Sequence, residues 1–501
     1  MDELMTKNAV PLNRENLTEL SPDIPRPTYS REDLSPGIVH IGVGNFHRAH
    51  QAWYLHRLMN DGRARDWAII GAGVRGGDAV MREKLAAQDH LTTLIELRPD
   101  GTSAEICGSM IDFLPVESGN AALIAQMADP AIRIVSLTVT EGGYFVNPGT
   151  GAFDPAHPDI VFDAETPEAP RTAFGAIIAA LRIRRDAGLG PFAVQSCDNL
   201  RGNGDITRDT VLGLARLSDP ELAEWIAREC TFPNSMVDCI VPATGSAEIA
   251  AAAAFGIRDA APVTHEPFRQ WVIEDRFCAG RPEWDTVGAT FTGDVHSYET
   301  MKIRILNAGH QVLANAGELL SLATIADCMA DADVSAFWRK VELEEIVPHV
   351  ADVPGMTAPD YAKLIEARFA NPAIRDTTRR VAFDGSSRHA GFVLPVLRDG
   401  LGAGTSISGL ALVEALWARM CAGQREDGSQ IEPNDPFWDA LITRAEAARQ
   451  RPEAWLEQDQ IYGALAQDAR FVQAFGRWLT LIWQEGTRAA LRRYAGSDTA
   501  A

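Results

Sequence analysis

The rhythm of apolar and polar positions changes once along this chain, near residue 296. Before that point short apolar runs alternate with helical stretches. Residues 38–44, 67–74, 91–97, 132–139 and 192–196 read as strands. Residues 49–60, 121–127 and 172–185 read as helices; in the first, Ala52, Leu55, Leu58 and Met59 recur at helical spacing. Such alternation predicts a mainly parallel sheet covered on both faces, a Rossmann-like α/β domain. Beyond it, helical patterns at 301–325, 334–345, 361–369, 407–421 and 469–493 predict a mostly α-helical domain. The division expected is 1–295 for a dinucleotide-binding domain and 296–501 for a substrate and catalytic domain, with a substrate meeting the dinucleotide where the domains face each other. Residues 1–37, polar and dotted with proline, read as an arm with one short helix near 13–20.

The first strand runs into Gly42-x-Gly44 and a helix follows. Strand, glycine turn and helix suit a dinucleotide: the glycines let backbone approach a pyrophosphate seated on the helix N-terminus. The third glycine of the fingerprint is absent, with His47 in its place, and a plain tight turn also fits. After the second strand, Asp78 is the nearest acid for ribose hydroxyls and Arg75 the nearest base for a 2′-phosphate; a solvated loop accounts for either equally. Thr140-Glu141-Gly142-Gly143-Tyr144 and Cys197-Asp198-Asn199 follow further strands and are candidates for the ligand crevice, although a loop asparagine is usually a turn former. Segments 232–238 and 266–274 mix aromatic, charged and proline residues, as a pocket wall or a packing turn would.

At the start of the second domain, Glu299, Lys302, Asn307 and His310 fall within one short stretch. On a helix turning about 100° per residue they share less than half the circumference, opposite Met301, Ile305, Ala308 and Val312. Spacing alone fits a solvated helix face. Asn307 and Gly309 both weaken a helix, however, and are poor choices for a face that is merely exposed.

Composition narrows the partners. Lys plus Arg is 46 and Asp plus Glu 68, a net charge of −22 over 501 residues, which argues against nucleic acid or an anionic membrane. Cysteines at 107, 197, 230, 239, 278, 328 and 421 form no CxxC pair, as expected of reduced thiols in a cytoplasmic protein. The N-terminus carries no apolar signal core, and no apolar run approaches the ~20 residues of a membrane span. His47 and His50 lack a clustered third ligand, so no metal site is expected. Nothing points to an obligate protein partner.

Taken together, Gly42-x-Gly44-x-Phe46-His47-Arg48-Ala49-His50-Gln51, Thr140-Glu141-Gly142-Gly143-Tyr144, Ser196-Cys197-Asp198-Asn199, Phe232-Pro-Asn-x-Met-Val-Asp238, Lys302-x4-Asn307-x2-His310 and Asp384-Gly-Ser-Ser resemble the long-chain polyol dehydrogenases, the mannitol dehydrogenase family. The likeness runs over nearly the whole chain. It implies zinc-independent, NAD-dependent oxidation of a polyol secondary alcohol to a ketose, D-mannitol to D-fructose and the reverse. By matching position, Lys302 is the general base, Asn199 and Asn307 hydrogen-bond the reacting oxygen, and His310 orients substrate and lysine. Asp238, Arg380 and Arg388 contact the polyol or hold the site, and Glu141 and Glu299 lie near a proton route. Gly42, Gly44, Phe46, His47 and Arg48 form the cofactor turn, and Asp78 favours NAD over NADP.

The sequence departs from the family at two positions. Arg388 stands where the family usually has Lys, and the planar guanidinium needs different partners, which bears on substrate identity. Gly77 stands where close relatives have Glu, which loosens the preference for NAD. The alternatives are oxidation of D-arabinitol at C4, reduction of a hexuronate such as fructuronate, or, in another class, a polyol-binding protein without turnover. The chemistry is coherent on its own terms. A lysine acts as a base only when burial or nearby cations lower its pKa from ~10.4, and fixed amide donors can stabilise an alkoxide-like oxygen as hydride leaves.

Overall fold

The computed structural model describes residues 9–147 and 150–496. The N-terminal octet read for a targeting segment lies outside the described residues. The chain divides into two compact units, Met1–His296 and Ser297–Ala501.

The first unit is built on five parallel strands: β1 (Pro36–Ile41), β2 (Ala68–Ala72), β3 (Met110–Phe113), β4 (Ile134–Leu137) and β5 (Ala193–Ser196), in spatial order β3-β2-β1-β4-β5. This is the doubly wound order, and its switch point lies between β1 and β4. Strand alternation divides the core cleanly. Val39, Ile41, Val135 and Leu137 face one side, against Leu123 and Met127 of α4 (Ala121–Ala128) and much of α5 (Ala173–Asp186). Ile38, Ile69 and Ile134 face the other, against Leu55 and Leu58 of α2 (Gln51–Asn60). With both faces covered, the strands are mainly apolar, with His40, Ser136 and Gln195 buried among them. Truncating a residue such as Ile134, wholly buried, would cost about 2–5 kcal/mol.

Around this sheet the structure differs from the sequence reading in instructive ways. The run 91–97 is a strand (Thr92–Arg98) of a separate mixed sheet, between Val263–His265 and Gly101–Cys107. Segments 232–238 and 266–274, read as walls or turns, contain the antiparallel pair Ser235–Asp238 and Gln270–Glu274. Their prolines and charges sit at strand ends, which masked the short apolar cores. The arm carries a 3-10 turn, Glu15–Glu19.

The second unit is helical. Its centre is α8 (Ala308–Leu319), buried along nearly its whole length and packed on the equally buried α11 (Ser408–Met420). Burial all round erases the amphipathic signal, so boundaries were poorly legible. The expected helix 301–325 is really α7 (Val295–Met301), a π-helical stretch Lys302–Asn307, and α8; a left-handed Ser321 then precedes Ile325–Ala330. The expected helix 469–493 is α12 (Ala469–Glu485) and α13 (Thr487–Ala495), parted at Gly486 with φ +89°. Two further π-helical stretches occur, Glu342–Ile346 after α9 (Ala332–Val341) and His389–Val393. Both pack on Lys302–Asn307. Among the described residues no helix is long and apolar enough to cross a membrane. All seven cysteines are free thiols, six of them buried.

Candidate active site

Strand register brings the predicted residues of the first unit to one edge. Ile41 pairs with Ala72 and Leu137, and Leu137 with Ser196, so β1, β2, β4 and β5 end level. From this carboxyl edge leave the Gly42–Gly44 turn, the Asp78 turn, the Glu141 segment and Asn199. Gly42 has φ +98°, and a Cβ there would meet the Thr138 carbonyl oxygen at 2.1 Å. Only glycine fits. At Gly44 nothing lies within 4 Å of an added Cβ, so the backbone is open to an approaching group. α1 (Asn45–Ala49) begins immediately after.

The residues that follow the glycines face inward. His47 and Arg48 are each 1% exposed. His47 stacks on His40 with ring centroids 3.4 Å apart, and its Nδ1 meets Gln51 Oε1 at 3.3 Å. Arg48 donates to the Ala261 carbonyl and, at 2.7 Å, to Asn45 Oδ1. Both side chains therefore pack beneath the turn expected to hold the cofactor and brace it. Phe46 is half-buried and stacks on His50. Of the histidine pair weighed as metal ligands, His50 meets the Gln270 carbonyl through Nε2 at 2.9 Å and Gln51 Nε2 through Nδ1 at 2.9 Å.

Asp78 lies in the first turn of α3 (Gly76–Ala86), and its Oδ2 accepts the Arg75 backbone N–H at 2.9 Å. An added Cβ at Gly73 would lie 2.2 Å from Asp78 Cβ. Glycine at 73 thus lets the carboxylate fold over the end of β2, where an acid meets ribose hydroxyls in a dinucleotide fold. The Arg75 side chain is exposed and reaches toward Gly143.

Asp198 ties the β4 and β5 loops together. Its carboxylate accepts the N–H groups of Val139 and Thr140, each at 2.9 Å, and the Tyr144 hydroxyl at 2.6 Å. Thr140 has φ +67°, a costly conformation for a β-branched residue, and this clamp sustains it. Burial raises the Asp198 pKa against these hydrogen bonds. Glu141 and Asn199 flank the clamp, both exposed. Asn203 then links Ser196 to the next sheet: Ser235 N–H donates to its Oδ1 at 2.8 Å, and Ser235 Oγ donates to the Ser196 carbonyl at 2.6 Å. Asp238, 7% exposed, stands at the far end of that strand.

In the second unit Lys302, Asn307 and His310 lie on one continuous helix, but not with α-helical spacing. From Lys302 to Asn307 the bonding widens to i→i+5, as it often does at functional sites. The wheel drawn from the sequence therefore fails, and so does the solvated face: Glu299 is 4% and Lys302 6% exposed. His310 stacks on Phe369 with centroids 4.2 Å apart, and its Nε2 lies 3.7 Å from Asp376 Oδ2. Burial pushes its pKa down to about 4; Asp376 opposes this, and Arg380, Arg368 and Arg388 reinforce it. Arg380 grips the same Asp376 through two 2.6 Å hydrogen bonds. Arg388 Nη1 donates to the Val381 carbonyl at 2.8 Å.

Behind this helix stands Glu342, fully buried, with neither carboxylate oxygen hydrogen-bonded. Its Oε2 lies 3.0 Å from where a Cβ on Gly309 would be, so Gly309 is small to admit it. Burial alone lifts the Glu342 pKa well above the carboxylate range. Sequence reading assigned no role to Glu342, Asp376, Phe369 or Asp198. Only Asp198 carried a signal, as part of a segment following a strand.

Comparison with known proteins then decides the family. Residues 36–286 match the mannitol dehydrogenase Rossmann domain, and residues 294–483 the mannitol dehydrogenase C-terminal domain. The chain belongs to the mannitol dehydrogenase family. Mannitol 2-dehydrogenase of Cereibacter sphaeroides is 57% identical over 471 residues, covering 94% of this chain and 98% of that protein. Among solved structures, Pseudomonas fluorescens mannitol 2-dehydrogenase in ternary complex with NAD and D-mannitol aligns with a TM-score of 0.85 and 40% identity, over 97% of this chain and 100% of that one. A substrate-free D-sorbitol dehydrogenase aligns with a TM-score of 0.90 and 38% identity, over 96% and 100%.

Proposed function

We propose that this member of the mannitol dehydrogenase family is an NAD-dependent polyol dehydrogenase that interconverts D-mannitol and D-fructose. The observation that carries this reading is the 57% identity with a mannitol 2-dehydrogenase across nearly the full length of both chains. The first unit fits the dinucleotide: an open backbone at Gly44, an obligatory glycine at 42, and an acid folded over β2. NAD, when bound, accepts the hydride. Gly42, Gly44 and α1 would hold its pyrophosphate and Asp78 its ribose diol, with His47 and Arg48 bracing the turn.

In the mechanism proposed, Lys302 takes the hydroxyl proton. Lys302 is 6% exposed, and a lysine serves as a base only as the neutral amine. Asn199 and Asn307 donate to the oxygen as charge shifts on it. His310, kept neutral by burial, orients lysine and substrate, while Arg380 and Arg388 with Asp238 bind further hydroxyls. Glu141 and Glu299 serve the proton's exit. Domain roles follow as 1–295 for the cofactor and 296–501 for catalysis, and free thiols with an acidic surface suit the cytoplasm.

The test is NADH absorbance with a panel of D-mannitol, D-sorbitol, D-arabinitol, D-fructose and fructuronate. The highest kcat/KM for oxidation is expected on D-mannitol. Faster reduction of fructuronate than of fructose would move the assignment to hexuronate reduction, and no turnover on any of them would leave a binding protein.

A further inference from the structure

Behind Arg388 the core of the second unit contains a polar chain to which the reaction assigns no task. His389 follows Arg388 directly and opens the third π-helical stretch. Its Nδ1 meets Glu414 Oε1 at 2.7 Å, and both side chains are wholly buried. Its Nε2 meets Asn315 Nδ2 at 3.0 Å. Tyr462 donates its hydroxyl to Glu414 Oε2 at 2.8 Å and accepts the Trp455 indole N–H at 2.7 Å. The imidazole also stacks on Trp417, with centroids 4.4 Å apart and planes 15° from parallel. The Asn315 amide N–H donates, so Nε2 accepts and Nδ1 faces the Glu414 carboxylate.

This chain closes on the candidate site. Asn315 lies on α8, the helix that carries His310. One turn before it, Gln311 donates to the Val381 carbonyl at 3.2 Å, and that carbonyl also takes Arg388 at 2.8 Å. The circuit runs from Arg388 through Val381, Gln311, Asn315 and His389 back to Arg388. Stability does not account for it. A buried acid–imidazole pair pays a desolvation cost that an apolar pair of the same volume avoids. A polar pair supplies direction instead, fixing where the π-helical stretch begins and hence where the preceding guanidinium points. A planar fork is sensitive to such placement.

We propose that His389 and Glu414 are positioning residues for Arg388: with Asn315 and Gln311 they fix the guanidinium relative to His310 and so set which polyol the site accepts. The proposal rests on the polyol dehydrogenase reading above.

The experiment compares full-length wild type with His389→Phe/Glu414→Met, Glu414→Gln and Asn315→Ala. It reads kcat and KM for the polyol that wild type oxidises fastest, KM for NAD, discrimination across the polyol panel, and the thermal midpoint. The apolar double variant should keep or raise the midpoint and leave KM for NAD within about twofold. Its KM for the polyol should rise roughly ten- to a hundredfold, with weaker discrimination. Glu414→Gln, which preserves shape and an acceptor, should recover most of the polyol affinity. A double variant with wild-type polyol KM and discrimination would reduce the pair to core packing and overturn the proposal. Should it not fold, Asn315→Ala decides by the same criterion. A wild type that turns over no polyol would instead remove the functional reading, so the two failures are distinct.

Discussion

Nε2 of His310 lies 3.7 Å from Oδ2 of Asp376, a carboxylate that at the same time takes two 2.6 Å hydrogen bonds from Arg380. One buried acid thus couples two residues that the sequence offered separately. Asp376→Asn keeps the shape but removes the charge that aligns the guanidinium. We expect kcat/KM for polyol oxidation to fall roughly ten- to a hundredfold, with NAD affinity retained. Steady-state kinetics in both substrates check this, and an unchanged kcat/KM would show that Asp376 serves packing alone.

Lys302, 6% exposed at the head of the π-helical stretch, is the general base of the mechanism we propose. Lys302→Ala should lower kcat by ~10²–10⁴ while NADH binding, followed by fluorescence titration, stays as in wild type. Retention of more than about a tenth of kcat would assign the base elsewhere.

Glu342 gives a pH prediction with a definite sign. Its pKa in the folded protein is raised above its unfolded value by burial. Over that interval the native protein holds a proton that the unfolded chain has released, so stability falls as pH rises from ~4.3 toward the folded pKa, by at most about 1.4 kcal/mol per unit. Glu342→Gln removes the titration. The stability of the variant relative to wild type should therefore climb with pH above about 5. A difference that does not vary with pH, in denaturant titrations across the range, would contradict a buried proton at this site.

How much of this was legible in sequence depends on the range of the forces involved. Gly42-x-Gly44 and four of the five strands of the central sheet were readable, because turn chemistry and alternation act over a few residues, whereas the short edge strand Met110–Phe113, with Asp112 in it, gave no such run. The His389–Glu414 pair was not, because its members are separated by helices and meet only through packing. Lys302, Asn307 and His310 were found as candidates, yet their geometry was misjudged: a 3.6-residue period cannot reveal a π-helical turn. That His47 and Arg48 pack beneath the glycine turn was not legible, since burial of a histidine or arginine follows from tertiary contacts such as those with His40 and Ala261.

Among the described residues no group of three His, Cys, Asp or Glu side chains gathers as metal ligands would. Lysine-based proton removal needs none. Activity should survive prolonged dialysis against EDTA, assayed as mannitol-dependent NADH formation. A loss restored by zinc would replace the lysine mechanism with Lewis-acid activation.

Cofactor choice turns on Asp78 and Arg75, which end up on different sides of the same turn. Asp78 folds over the end of β2, a position reserved for it by the missing Cβ of Gly73, and caps the Arg75 backbone N–H at 2.9 Å. A carboxylate there can accept from a ribose diol and repels a 2′-phosphate. Arg75 extends toward Gly143, where an added Cβ would lie 4.0 Å from its Nη2, over the Glu141 segment. Its charge can still draw a 2′-phosphate, but from an exposed and solvent-screened position. The better-placed acid should win, giving NAD a higher kcat/KM than NADP by a margin that Arg75 narrows. Asp78→Ala should narrow it further by improving NADP use, and Arg75→Ala should widen it by weakening NADP. The two variants must move the ratio in opposite directions when kcat/KM is measured with both cofactors. A wild type that already prefers NADP would make Arg75 the residue that reads the ribose and leave Asp78 only as the cap of α3.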